Sequence, residues 1–103
     1  MKLSELKIAV QKEFEKLSRI TTFTPSRSEL WMGGFCNVEN HEHVRYTLWL
    51  QHRGGKVSIL ITISYGEGKT YAVAVAHERP YEDALWEIRH QLADHHTARK
   101  FWD

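Results

Sequence analysis

The side chains most able to carry chemistry in this chain are one cysteine and seven histidines. Cys36, His41 and His43 fall in one polar turn region, separated by five and two residues. A thiolate beside an imidazole is the simplest nucleophile–base pair, and the same groups are zinc ligands. Zinc sites gather three or four ligands tetrahedrally, commonly from two closely spaced pairs. No second pair with that spacing is present, so a metal- or cysteine-dependent enzyme centred on Cys36, His41 and His43 needs a distant histidine to converge on them. It stands as an alternative, and no metal and no cofactor are expected. His90, His95 and His96 sit near the end of a C-terminal helical stretch. There an imidazole suits the helix dipole and the last carbonyls without any further role.

The acids offer no better site. Glu82, Asp83 and Glu87 read as helix-surface residues, and Glu39 and Glu42 flank a turn. A general acid needs burial or a like-charged neighbour to raise its pKa, and no spacing here enforces either. Gly68-Lys69-Thr70 ends like a phosphate-binding loop, but Thr62 stands where the first glycine of GxxxxGK[ST] belongs and a strand follows where a helix should. The segment reads as a hairpin turn.

Binding residues are better placed. Trp49 lies near Arg45, Arg53 and Lys56, a set able to stack on and neutralise a single-stranded nucleic acid. Against it, the chain's formal net charge is only +1, too small for long-range attraction to a polyanion. Residues 1–29 carry six basic and four acidic groups, residues 30–76 four and three, and residues 77–103 four and six.

These side chains must be positioned by one small fold. At 103 residues, 42% apolar and 26% charged, the chain has room for a single domain, residues 1–103. One cysteine makes no internal disulfide, and the first ten residues lack a signal peptide's apolar core, so a cytoplasmic location is expected. The longest apolar-rich stretch, residues 57–65, is too short to span a bilayer.

Leu3, Leu6, Val10, Phe14, Leu17 and Ile20 recur at helical spacing, with Ser4 as the expected N-cap and Pro25 beyond the end. Residues 30–36 read as a first strand, with Gly33-Gly34 suggesting a bulge, a bend or close packing against a helix. Residues 43–51, 56–65 and 69–76 alternate as three further strands, joined by Gly54-Gly55 and Gly66-Glu67-Gly68 turns. After Pro80, residues Tyr81, Leu85, Ile88 and Leu92 mark a second helix, with Ala84 permitting close approach to the sheet.

The prediction is an α+β fold of order α-β-β-β-β-α, a three- to four-stranded antiparallel sheet with both terminal helices on one face. The expected core joins Leu6, Val10, Phe14 and Leu17 to Leu48, Ile59, Ile61, Val73, Leu85 and Ile88. The order resembles the double-stranded-RNA-binding domain in outline. Where that family sets lysines at the start of its second helix, this chain has Glu78, Arg79, Pro80, Tyr81, Glu82 and Asp83, so the activity does not carry over.

Strand alternation leaves one sheet face away from the helices, bearing Trp49, Leu60, Thr47, Thr62, Ala72 and Ala74. A flat, partly apolar face around an indole has the texture of an interface. The sequence therefore points to a non-enzymatic protein-interaction module, with a protein partner or a homodimer through that face. Nucleic-acid binding through Trp49, Arg45, Arg53 and Lys56 is the second expectation.

Overall fold

A computed structural model describes residues 1–17, 31–38, 41–65 and 68–99, with side chains at 1–17, 45–64 and 68–95. The elements are α1 (Leu3–Glu15), β1 (Trp31–Val38), β2 (His41–Arg53), β3 (Lys56–Tyr65), β4 (Lys69–Pro80) and α2 (Tyr81–Arg99). The four strands pair antiparallel in chain order, β1-β2-β3-β4. This is the predicted α-β-β-β-β-α arrangement. No helix among the described residues is long and apolar enough to cross a membrane.

α1 forms because Leu6, Val10 and Phe14 stack on one side; these three, and Leu17 just past the helix end, are fully buried. The helix starts before Ser4: Lys2 is the extended N-cap residue, without a side-chain cap, and the Leu6 N–H donates to the Lys2 carbonyl. Starting there brings the first turn of the apolar stripe into the helix, and Glu5 still lies where the dipole favours it. Ile20 and Pro25 lie outside the described residues.

The β2–β3 hairpin closes through Gly54 and Gly55 at φ 58° and 75°, a conformation that favours glycine at both positions. The register there is regular, from Arg53↔Lys56 to Val44↔Tyr65. Gly33 and Gly34 also pair in register, with Trp49 and Leu48, so the expected bulge is not at the glycines; the irregularity in β1 lies between Asn37 and Val38.

β4 departs most from simple alternation. Ile61 faces Ala74 while its neighbour Thr62 faces Ala72, leaving Val73 as an extra residue. A second irregularity sets Val57 against Arg79 and Ile59 against Ala76, so that His77 and Glu78 together oppose Ser58. Glu78 sits at φ 48° there, and its N–H donates to Ser58 Oγ at 3.0 Å. The Val73 bulge changes the facing of the strand. Ala74, predicted to face away from the helices, is buried at 0% exposure, Ala76 is buried at 2%, and Val75 faces out between them.

The core lies between the helices and one sheet face. Leu48, Leu50, Ile59, Ile61 and Ile63 meet the α1 stripe and Ala84, Leu85, Ile88 and Leu92 of α2. Val73, expected inside, is partly buried against this cluster. Small side chains at Ala74, Ala76 and Ala84 let α2 lie close over β4. Arg89 of α2 donates to Glu13 of α1 at 3.1 Å, tying the two helices together at their exposed edge.

Candidate interaction face

On the sheet face turned away from the helices, Trp49 of β2 stands across from Leu60 of β3, which stands across from Val75 of β4. Directly opposed antiparallel residues share a face, so the three side chains form one row across the sheet. They are 45%, 37% and 44% exposed. On its other side Trp49 pairs with Gly33, a position without a side chain. A shallow, largely apolar depression of about 410 Å³ runs between Trp49, Leu60, Val75 and the flanking Gln51, Ser58 and His77.

The next row is low. Thr47 pairs with Thr62, their hydroxyls are hydrogen-bonded to each other, and Thr62 pairs with Ala72. Of the six residues predicted for this face, Trp49, Leu60, Thr47, Thr62 and Ala72 lie on it. Ala74 does not, for it packs under α2. Val75 was missed because the bulge that turns it outward leaves no mark in the hydropathy pattern.

Arg45, Arg53 and Lys56 share the outward face with Trp49, since Arg45 pairs with Ser64 and Arg53 with Lys56 in the same alternation. At the hairpin end, Gln51, Arg53, Lys56, Ser58 and Glu78 line a polar depression next to the apolar one. Glu78 is the one acid on the strands whose side chain is described; the other acids with described side chains are on the helices. Three of those helical acids are paired: Glu13 with Lys16 and Arg89 at 3.3 and 3.1 Å, Glu87 with Arg79 at 3.4 Å, and Glu82 with the N-terminal ammonium at 3.8 Å.

Beyond the β4 edge, Trp86 is 66% exposed and stacks on His90, with ring centroids 5.2 Å apart and planes within 5°. It lies off the Tyr81–Leu85–Ile88–Leu92 stripe, and that omission from the stripe was the available signal for its exposure.

The histidine expectations divide. Tyr46, fully buried, is hydrogen-bonded through its hydroxyl to His95 Nε2 at 2.7 Å, so His95 serves a packing contact between α2 and β2 beyond any dipole effect. Cys36 lies on β1 and His41 and His43 on β2, with Cys36 pairing with Tyr46 and His41 with Val38 in backbone register. Their side chains, and that of His96, lie outside those described. Among the described residues no three His, Cys, Asp or Glu side chains converge on a point. Compared with protein families, curated proteins and solved structures, the chain matches none.

Proposed function

We propose that this chain is a non-enzymatic protein-interaction module that docks through the outward face of its sheet. The observation that carries the reading is the row Trp49–Leu60–Val75, three large apolar side chains side by side and each more than a third exposed. A wet face of an antiparallel sheet is ordinarily polar, and apolar side chains gathered in one place mark contact surfaces. Trp49 is the anchor, because a truncated interface indole commonly costs about 2 kcal/mol or more of binding. The cations around the row form a polar rim of the kind that surrounds an apolar interface centre.

The test is a photo-reactive amino acid placed at Leu60 in the native cell, with the same group at exposed Lys12 of α1 as control. Covalent adducts formed at Leu60 and absent at Lys12, to this chain or to another protein, are the expected result. Equal or absent labelling at the two positions would overturn the proposal.

One observation favours single-stranded nucleic acid as a second reading. Arg45, Arg53 and Lys56 share a face with Trp49, while the acids whose side chains are described, Glu78 apart, are on the helices. A stacking platform between cations binds single strands with strong salt dependence. Retention of a thymidine oligonucleotide that declines steeply with salt, and is lost in Trp49→Ala, supports this reading. A docked protein held by apolar contacts is far less salt-sensitive.

A further inference from the structure

We infer that the hairpin end of the outward face is a binding site for a dianionic phosphoryl group, held by Arg53 and Lys56 together with the Ser58 hydroxyl. The inference goes beyond the docking reading, for the site lies beside the Trp49–Leu60–Val75 row and uses none of its side chains. Arg53 and Lys56 stand directly across the β2–β3 ladder, on either side of the Gly54-Gly55 turn. Directly opposed residues hold their Cβ atoms about 5 Å apart, and like charges so placed weaken a strand pair. Among the described residues neither cation has an acidic partner: the ion pairs use Lys16, His77, Arg79, Arg89 and the N-terminus. A dianion bridging the two turns that repulsion into attraction. A guanidinium fork beside an ammonium is also a set that suits phosphate oxygens.

The neighbouring rung supplies neutral donors. Gln51 pairs with Ser58 on the same face, about 7 Å along the strands from the cationic rung. Ser58 Oγ accepts from the Glu78 N–H at 3.0 Å, which leaves its own hydroxyl hydrogen for another acceptor. That contact exists because His77 and Glu78 bulge together opposite Ser58, with Glu78 at φ 48°. A residue with a side chain seldom takes this conformation, and residues that do so gather at functional sites. Gln51, Arg53, Lys56, Ser58 and Glu78 line a depression of about 410 Å³. Glu78 is the one acid lining it, with its carboxylate 4.0 Å from His77 Nε2. That negative charge opposes an anion, so its removal should tighten binding.

The polar depression and the apolar one share the Gln51–Ser58 rung as their border. A phosphate seated between Arg53 and Lys56 therefore has room for an ester body that extends toward Leu60 and Trp49. The phosphoryl group is common to two sources, phosphate alone and an aromatic phosphate ester.

Amide NMR titration of the full chain at pH 8, with ionic strength held by chloride, tests this. Inorganic phosphate and phenyl phosphate are both predominantly dianions there, since the last proton leaves a phosphate ester at about pH 6. Inorganic phosphate should give saturable shifts confined to residues 51–58 and 78. Arg53→Gln and Lys56→Gln should each raise its Kd about tenfold, the loss of one charge-assisted hydrogen bond. Glu78→Gln should lower it about threefold, the effect of one exposed charge. Neither cation variant should melt below wild type, because each removes a like-charge rung, so lost binding is separable from lost folding. Phenyl phosphate binding more tightly than phosphate, with the gain lost in Trp49→Ala, supports the site with an aromatic ester as its source. Equal Kd values support it with phosphate alone. Absence of saturable shifts overturns the inference, and so does a Kd unchanged in both cation variants or raised in Glu78→Gln. A thymidine oligonucleotide that binds while inorganic phosphate does not returns these cations to the single-strand reading and rejects the site. Labelling at Leu60 reports on the docking face separately, so either proposal can fail alone.

Discussion

Tyr46 illustrates how single residues here hold two layers together. Its ring belongs to the core face of β2 and is fully buried, so its hydroxyl needs a partner inside the protein. His95 supplies it from α2, at 2.7 Å, with the rings edge to face at 5.7 Å between centroids. Tyr46→Phe keeps the ring and removes the hydroxyl, and should cost about 0.5–1.5 kcal/mol in denaturant unfolding. A change below about 0.3 kcal/mol would show that the hydroxyl contributes nothing to stability at that site. The buried ring was legible in the alternation of Val44, Tyr46, Leu48 and Leu50. Its partner was not, because a contact 49 residues distant in sequence leaves no local pattern. Trp49 and Leu60 were legible on the outward face for the opposite reason: each lies in a strand segment whose alternation is unbroken.

At the scale of the elements, β4 is an edge strand and the most irregular of the four. Its two bulges twist and interrupt an edge that would otherwise pair with any exposed strand. The third device is Gln91 of α2. Its side-chain amide accepts from the Val75 N–H at 2.9 Å and donates to the Val75 carbonyl at 2.8 Å, taking the place of a neighbouring strand. Both ends of that amide are engaged, so Gln91→Ala should expose the Val75 backbone to water. The loss in stability should be small, about 0.5–1.5 kcal/mol, because the freed groups are solvated. Hydrogen exchange at the Val75 amide should accelerate at least about tenfold, the ratio for roughly 1.4 kcal/mol of local opening. Unchanged exchange would mean that the clamp does not protect the edge. With β4 so guarded, strand-to-strand pairing at this edge is disfavoured. These bulges also mark the limit of sequence reading. Regular strands β2 and β3 were recovered closely, whereas one extra residue at Val73 inverted the facing of Ala74, Val75 and Ala76.

For the whole molecule, the helices cover one face of the sheet and leave an apolar row on the other. That division sets how stability responds to truncation on each side. Phe14 is fully buried on α1, so Phe14→Ala should cost about 3–5 kcal/mol, a large share of the stability of a domain this size. Leu60 is 37% exposed on the opposite face, where water already reaches the side chain. In dilute solution, where the monomer dominates, Leu60→Ser should change unfolding free energy by less than about 0.5 kcal/mol, as surface substitutions generally do. At high protein concentration the comparison tests self-association. A partner that binds only the folded state adds stability by mass action, so self-association through this face would raise the wild-type melting temperature with concentration and leave that of Leu60→Ser unchanged. Phe14→Ala keeps the residues of this face, and its folded fraction would then gain stability with concentration from a lower starting point. Thermal unfolding of the three proteins at several concentrations measures both faces in one series. A concentration-independent melting temperature for wild type would reject self-association through this face, and equal losses from Leu60→Ser and Phe14→Ala in dilute solution would contradict this division between a covered and an open face.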